Sequence, residues 1–252
     1  MRLRRRYNLA MPESADRSVV VTGAAGRIGS LVIDKLASHW RIRATDVRPG
    51  DGIEALDVTD LERCVTMFEG ADAVVHLAAD PDPNADWDRL RAPNVNGAYT
   101  VAAAVRECGV RRLVLASSQQ ATSGYPQTRQ RRGEDAPLAA NLYGATKAWA
   151  EALGGWVATT SSTSVVALRI GYFSERPPTG DKATPTNLSA WLSHGDCVRL
   201  MQAAVESEHA GFVVVNGISA NRYRIAELGE AERGIGYAPS DDAWARLAQS
   251  SP

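Results

Sequence analysis

The stretch Thr22-Gly23-Ala24-Ala25-Gly26-Arg27-Ile28-Gly29 decides the fold of this chain of 252 residues. It ends the β-branched run Ser18-Val19-Val20-Val21-Thr22, and a pattern typical of a helix continues from it to about Ser38. Glycines lack a Cβ atom, so the spacing Gly-x-x-Gly-x-x-Gly permits a tight turn and lets backbone N–H groups approach a pyrophosphate at a helix N-terminus. The order of strand, glycine turn and helix therefore predicts a dinucleotide-binding unit.

Strands and helices alternate along the rest of the chain. Apolar runs predict strands at 41–46, 73–77, 112–116, 164–168 and 212–215. Helical patterns predict helices at 61–68, 88–108, 141–157, 196–208 and 241–249, with Asp196 as the cap of the helix that it begins. The strands are apolar without alternation, as expected when both faces of a parallel sheet are covered. We therefore predict an α/β fold with a Rossmann-type doubly wound parallel sheet and a small C-terminal substrate-binding region.

The composition excludes several classes of protein. The chain is 44% hydrophobic and 23% charged, as in an ordinary globular protein, and its formal net charge of -1 predicts no attraction to nucleic acid or to an anionic membrane. No stretch approaches the roughly 18 apolar residues of a transmembrane helix. Three scattered cysteines fit reduced thiols in a cytosol, and the four histidines lack metal-ligand spacing. We expect a cytoplasmic protein without a metal site.

Asp46 predicts NAD as the cofactor. It ends the second strand, where a carboxylate accepts hydrogen bonds from the adenosine ribose and repels a 2′-phosphate. Arg43 and Arg48 lie close by in sequence and suit a 2′-phosphate, so NADP is the alternative. Asp57 is a second loop acid, placed either to meet the adenine or on the surface. The residues expected to line the cofactor site are Gly23, Ala25, Gly26, Arg27, Ile28, Asp46, Asp57, Val58, Leu77, Ala78, Ala79, Asn94, Ala116, Tyr143, Lys147 and Ile170.

The chain changes character after Arg169, where loops replace the regular alternation. We predict an NAD-binding Rossmann core at 17–170, which includes the helix of Tyr143, and a small substrate-binding region at 171–252 within the same structural domain. Residues 1–16 are expected to form a disordered tail, and translation starts at Met1 or at Met11.

Tyr143 and Lys147 form the strongest pattern of candidate catalytic residues. Their spacing of four places a phenol and an ammonium on one helix face. A neighbouring cation favours the phenolate and lowers the pKa of a phenol, which is ordinarily about 10. Ser117 and Ser118 come at the carboxyl end of the fourth strand, directly after 112–116, so they point into the ligand crevice of such a sheet. Tyr143 is thus suited to exchange a proton with a substrate hydroxyl.

Together, the glycine turn, Ser117-Ser118 and Tyr143-x-x-x-Lys147 resemble the extended short-chain dehydrogenase/reductase family, which includes the NAD-dependent epimerases and dehydratases. The resemblance runs from about 18 to 241. It implies that Ser118 bonds the substrate oxygen, that Tyr143 is the acid/base, and that Lys147 binds the nicotinamide ribose and holds Tyr143 near its working pKa.

The same resemblance implies a homo-oligomer. The helices at 88–108 and 141–157 often pair across a dimer axis in this family. Trp87, Tyr99 and Trp149 are candidates for that surface, although burial in the core explains each of them equally well.

Three further segments resemble uronate dehydrogenases and their relatives, which oxidise the anomeric hydroxyl of a sugar acid to a lactone with NAD. They are Tyr125-Pro126-Gln127-Thr128, the octapeptide Ser189-Ala190-Trp191-Leu192-Ser193-His194-Gly195-Asp196, and Gly217-Ile218-Ser219-Ala220-Asn221. The chain departs from that group in two places. Gln119-Gln120 replace Asn-His, and Thr186 stands where the family has an Arg that binds the substrate carboxylate. Without that bidentate partner, much of the preference for a uronate should be lost. Lys182 and Arg176 are alternative carboxylate ligands, or surface charges.

We therefore predict an NAD-dependent oxidoreductase that acts on a hydroxyl of a sugar, a sugar acid or a related cyclic polyol. The expected substrate ligands are Ser118, Gln119, Gln120 and His194. One alternative is a sugar-nucleotide epimerase or dehydratase with tightly bound NAD, although Gln119-Gln120 replace the acid pair of a 4,6-dehydratase. The other is a non-catalytic dinucleotide-binding regulator, against which the intact Ser118, Tyr143 and Lys147 count.

Overall fold

A parallel sheet forms the centre of the computed structural model, which describes residues 17–250. The expected tail at 1–16 and the choice of translation start lie outside the described residues. Nine strands are present in this part of the chain: β1 (Ser18–Thr22), β2 (Arg41–Asp46), β3 (Ile53–Ala55), β4 (Ala73–His76), β5 (Arg112–Ser118), β6 (Ser164–Ile170), β7 (Tyr172–Phe173), β8 (Trp191–Leu192) and β9 (Phe212–Gly217). Seven of them form the main sheet in the order β3-β2-β1-β4-β5-β6-β9, and β7 pairs with β8.

Helices cover both faces of the sheet. They are α1 (Arg27–Leu36), α2 (Leu61–Phe68), α3 (Trp87–Leu90), α4 (Gly97–Glu107), α5 (Leu142–Thr160), α6 (Pro185–Ser189), α7 (His194–Glu206), α8 (Gly229–Ile235) and α9 (Ala243–Ser250). One apolar cluster joins Val19 and Val21 to α1 and α7, and another joins Val20 to α2, α4 and α5. Successive strand residues thus enter cores on opposite faces, which explains why the strands are apolar without alternation.

The predicted helix at 88–108 is wrong as a single element. A π-helical segment, Arg91–Asn96, separates α3 from α4. Pro93 lies inside it and has no N–H to donate to the preceding turn, so the regular α-helical bonding is interrupted there. The segment turns Asn94 into the core, where it is 3% exposed.

The predicted cap of α7 is also wrong. The helix begins two residues earlier than expected, and Ser193 is its N-cap, accepting a hydrogen bond from the backbone N–H of Asp196 at 2.9 Å. Asp196 instead accepts hydrogen bonds from the backbone N–H groups of Ser240 and Asp241. Its carboxylate therefore fastens the segment before α9 to the start of α7.

The C-terminal region contributes to both sheets. β9 joins the edge of the main sheet beside β6, while the connection from β6 to α7 contains β7, α6 and β8. The division into a core at 17–170 and a substrate-binding region at 171–252 stays a prediction. Between residues 17 and 250 no helix is both long and apolar enough to cross a membrane, and no cluster of potential metal ligands occurs.

Candidate active site

The glycine turn after β1 leaves no room for side chains. Gly23 has a φ of +73°, in the left-handed region that favours glycine, and a Cβ atom there would lie 2.6 Å from the backbone nitrogen of Ala78. A Cβ atom on Gly29 would overlap the carbonyl oxygen of Gly23. The turn therefore packs directly against the end of β4 and opens α1. A bare backbone cradle at a helix N-terminus is what a dinucleotide pyrophosphate requires, so these residues fit NAD.

Asp46 is held rigidly beside the glycine turn. Its side chain is 6% exposed, Oδ2 accepts a hydrogen bond from the Ala25 N–H at 3.0 Å, and Oδ1 accepts one from the Arg48 N–H at 2.9 Å. Each carboxylate oxygen keeps a lone pair for a ribose hydroxyl. Of the two arginines nearby, Arg43 donates to the Glu69 carbonyl at 3.0 Å, whereas the exposed Arg48 guanidinium lies 3.5 Å from Asp46. Only Arg48 thus stays placed for a 2′-phosphate.

The other expected cofactor residues fall into two groups. Leu77, Ala78 and Ala79 follow β4 beside the glycine turn and are half-buried, as expected for a cleft wall. Asp57, in contrast, is exposed and its carboxylate accepts hydrogen bonds from the Thr59 N–H and hydroxyl. Val58 is buried and packs against α4, close to Gly97.

Asn94 ties the cofactor side of the cleft to the helix of Tyr143. Its Oδ1 accepts from the Asp80 N–H at 2.8 Å, and its Nδ2 donates to the Asp80 carbonyl at 3.0 Å and to the Thr146 hydroxyl at 3.2 Å. Both N–H bonds of the amide are therefore used inside the protein. In this structure Asn94 positions the segment after β4 against α5.

The three predicted catalytic residues come together at the carboxyl end of β5. Ser118, the last residue of β5, lies next to the Tyr143 side chain on α5 and favours its ionised form. Lys147, one turn further along α5, places its Nζ 5.6 Å from the centroid of the Tyr143 ring and donates to the Ala116 carbonyl at 2.9 Å. All three side chains are buried. A substrate hydroxyl that reaches Tyr143 is thus shielded from bulk water.

Burial, rather than Lys147, dominates the acid–base properties of the cluster. It raises the pKa of Tyr143, while the Ser118 hydroxyl lowers it and Asp80 raises it further. Burial also lowers the pKa of Lys147 to about 8. The expected lowering of the Tyr143 pKa by Lys147 is not seen, because the phenol is desolvated and the ammonium is turned to a carbonyl oxygen.

Sequence reasoning missed Glu151, which lies one further turn along the same face of α5. Glu151 accepts a hydrogen bond from the Ser117 hydroxyl at 2.5 Å and two from the Arg169 guanidinium, at 2.9 and 2.8 Å. Arg169 is 1% exposed and also donates to the carbonyls of Arg132 and Asp135. It is therefore a structural cation that joins β6 to α5. The spacing Tyr143, Lys147, Glu151 was the available signal.

Two of the expected substrate ligands, Gln119 and Gln120, make hydrogen bonds within the protein. Gln119 is 5% exposed, and its Nε2 donates to the Arg169 carbonyl and to Asn216 Oδ1, which ties β5, β6 and β9 together. Its donors are thus unavailable to a substrate. Gln120 is half-buried, and its Oε1 accepts from the Asn141 Nδ2 at 2.7 Å.

His194 and Arg27 both contact the ring of Phe173. The His194 ring stacks on Phe173 at 4.8 Å, and the Arg27 guanidinium lies over the same ring at 5.4 Å and donates to the Phe173 carbonyl. This contact joins the start of α1 to β7 and α7. Ile28 packs against the core beside α1, and Ile170 ends β6.

A family model described as the NAD dependent epimerase/dehydratase family matches residues 19–192, which is more than half of the chain. The chain belongs to this epimerase/dehydratase family. The family is NAD dependent, in agreement with the fit of the glycine turn and Asp46 to NAD.

Two sugar dehydrogenases and one solved structure are similar over nearly the whole chain. L-arabinose 1-dehydrogenase (NAD(P)(+)) of Haloferax volcanii is 35% identical, and the match covers 89% of this chain and 97% of that enzyme. NAD-dependent glucose-6-phosphate dehydrogenase of the same organism is 30% identical, with 90% and 95% covered. A solved structure of a mutant uronate dehydrogenase from Agrobacterium tumefaciens complexed with NAD superposes with a TM-score of 0.83 at 27% identity, covering 94% of this chain and 90% of that one.

These similarities confirm the predicted family and the predicted α/β fold with a Rossmann-type parallel sheet. They also confirm the class of enzyme, an NAD-dependent oxidoreductase of the extended short-chain type whose relatives are sugar dehydrogenases. NAD is confirmed as the cofactor, and the NAD(P) specificity named for the arabinose enzyme keeps NADP as a secondary one. The roles of individual site residues stay predictions.

Proposed function

We propose that this enzyme oxidises a hydroxyl group of a sugar, a sugar acid or a related cyclic polyol, with Tyr143 as the proton acceptor. The observation that carries this proposal is the buried cluster of Ser118, Tyr143 and Lys147 at the carboxyl end of β5. Ligands bind at this edge of an open parallel sheet. The relatives that act on arabinose and on glucose 6-phosphate support a sugar as the substrate.

The chemistry follows from the cluster. Bound NAD supplies the acceptor for the hydride that leaves the carbinol carbon. Ser118 bonds the substrate oxygen and aligns it with Tyr143, and Tyr143 takes the hydroxyl proton as the carbonyl forms. Lys147 brings a positive charge close to the phenolate that this step requires. Burial of all three groups excludes water from the site. The fixed orientation of the substrate hydroxyl relative to Tyr143 then contributes to the rate together with proton transfer.

A screen for NADH formation tests this function. Aldoses, sugar acids, sugar phosphates and nucleosides are incubated with the enzyme and NAD, with the Tyr143→Phe variant as the control. We expect sustained NADH formation with at least one sugar, and a rate lower by about 10²-fold or more from the variant. Protein that purifies with bound NAD and forms no net NADH would instead favour the sugar-nucleotide epimerase or dehydratase. Ligand binding without turnover would favour the regulator.

The pH dependence of the oxidation reports on Tyr143. Because the phenolate is the proton acceptor and burial raises the pKa of Tyr143, we expect kcat/KM to rise with pH on the alkaline side of neutrality. Ser118→Ala removes the hydroxyl that lowers this pKa, so the rise should move to higher pH. Ser162→Ala, at an exposed serine, is the matched control. A rise that stays in place or moves to lower pH in Ser118→Ala would contradict this assignment.

Asp46 sets the preference for NAD. We expect Asp46→Ser to reduce the ratio of kcat/KM for NAD to that for NADP by about tenfold, which corresponds to about 1.4 kcal/mol of charge repulsion. The exposed Arg48 would then meet the 2′-phosphate. Asp51→Ser, at an exposed acid in the following loop, should leave the ratio unchanged. Steady-state kinetics with both cofactors provide the measurement, and an unaltered ratio in Asp46→Ser would count against the assignment.

The proposed homo-oligomer uses α3, α4 and α5. Trp87, Tyr99 and Trp149 are 50%, 51% and 41% exposed, so the alternative that they are buried in the core is wrong. Exposed aromatic residues on neighbouring helices are typical of an association surface. We expect light scattering to give a dimer or larger assembly, and Trp149→Glu to shift it toward the monomer. Leu61→Glu, at an exposed leucine on α2, is the control. A monomeric parent protein would refute this part.

A further inference from the structure

A polar cavity of about 370 Å³ is formed by segments that follow β5, β6 and β9. Its wall includes Gln127 and Gln130, from the connection after β5, and Thr186 and Ser189, from the connection after β6 and β7. Arg222 and Arg224, from the segment after β9, also line it, together with Pro185, Tyr223 and Ile225. The main-sheet strands β5, β6 and β9 are neighbours and parallel, so these three connections leave the same edge of the sheet. Ser118 ends β5 at that edge, which is where ligands of such sheets bind.

The charge of the cavity is positive. Arg222 and Arg224 line it, and no carboxylate of the described residues does. Arg222 pairs with Asp242, which lies outside the cavity wall, at 2.9 Å. Arg224 is exposed and makes one marginal hydrogen bond, from its guanidinium to the Asn221 carbonyl at 3.5 Å, and it has no ion pair within residues 17–250. Its charge is therefore available to a ligand.

The neutral groups of the wall suit a polyhydroxylated ligand. The Thr186 hydroxyl donates a hydrogen bond to Gln127 Oε1 at 2.9 Å, which leaves the Gln127 NH₂ group for other acceptors. Gln130 Nε2 donates to the Arg224 carbonyl at 3.1 Å and so fixes the backbone that carries the free guanidinium. The wall thus combines amide and hydroxyl groups with one uncompensated cation.

We propose that this cavity binds an anionic group of the substrate, a phosphate or a carboxylate carried by a sugar, and that Arg224 is its principal ligand. This inference rests on the proposed function. Arg222 supplies a second, partly neutralised cation. Both arginines of this anion site come from the segment after β9. It does not use Lys182 or Arg176, neither of which lines the cavity.

Kinetics with matched sugars test the inference. Glucose, glucose 6-phosphate and glucuronate are compared as substrates for the parent enzyme, Arg224→Gln, Arg222→Gln and the control Arg176→Gln. We expect the parent to prefer one of the two anionic sugars, which also tells phosphate from carboxylate. Arg224→Gln should lower kcat/KM for that sugar on the order of 10- to 100-fold, as for loss of a hydrogen bond to a charged group, with glucose oxidation unchanged. Arg222→Gln should have a smaller effect.

Two outcomes overturn the inference. One is a parent enzyme that prefers glucose, and the other is a preference for the anionic sugar that survives both Arg224→Gln and Arg222→Gln or is lost in Arg176→Gln. If no sugar yields NADH, the proposed function fails separately. Calorimetric titration of glucose 6-phosphate and of glucuronate into the parent and Arg224→Gln then decides the inference. Binding to the parent that weakens in the variant supports it, and equal binding or none overturns it.

Discussion

Replacement of Tyr143 by Phe is expected to lower kcat by about 10²- to 10⁴-fold, the usual contribution of a positioned acid or base. The substitution removes only the phenolic oxygen that takes the substrate proton. The ring remains to pack against Ala85 and Leu90, with which it forms a buried cluster. The binding of NAD and the free energy of unfolding should therefore stay close to those of the parent.

Single-turnover kinetics measure the rate of hydride transfer, and a cofactor titration measures the binding of NAD, both on the same preparation. Tyr99→Phe is a matched control, because Tyr99 is half exposed on α4 and its oxygen should not touch the reaction. Equal loss of rate in both variants, or loss of NAD binding in Tyr143→Phe, would contradict the assignment of Tyr143 as the proton acceptor.

Replacement of Glu151 by Gln is expected to lower the free energy of unfolding by about 3–5 kcal/mol, as for other buried ion pairs that lose one partner. Arg169 is 1% exposed and keeps its charge, so the variant holds an uncompensated cation in the interior. The Ser117 hydroxyl loses its carboxylate acceptor in the same step. Equilibrium unfolding in urea, followed by circular dichroism, measures the loss.

Two further variants make this result specific. The double variant Glu151→Leu/Arg169→Met removes both charges and should recover much of the lost stability, because an apolar pair of similar volume avoids desolvating ions. Glu134→Gln breaks an exposed pair with Arg132 and should change the stability by less than about 1 kcal/mol. A Glu151→Gln variant as stable as Glu134→Gln would show that the buried pair contributes nothing.

Glu151 also helps to position the proposed catalytic residues at the end of β5. Ser117 donates a hydrogen bond to Glu151, and the next residue, Ser118, lies beside Tyr143, so α5 is held against consecutive residues of one strand. Lys147 adds a bond to the Ala116 carbonyl just before them. The register between α5 and β5 therefore sets the geometry of the proposed catalytic cluster, and the Glu151–Arg169 pair helps to hold that register.

The sequence by itself determined the features that depend on local spacing. The glycine turn, Asp46 at the end of β2 and the pair Tyr143 and Lys147 are each specified within a few residues, because turn geometry, strand ends and helix faces are local properties. The apolar runs identified the six longest strands of the main sheet for the same reason. The short strands β3, β7 and β8 carry too few residues to show a period.

Only the tertiary structure decided which polar side chains serve the fold and which remain for a ligand. Gln119 was expected to bind substrate, yet its NH₂ group donates to Arg169 and Asn216, 50 and 97 residues away in the chain. Arg224 became a candidate ligand because the segment after β9 lies against the connections after β5 and β6. Spacing along the chain cannot reveal these assignments, since the partners are brought together by burial of the sheet, and burial decides which hydrogen bonds must be made inside the protein.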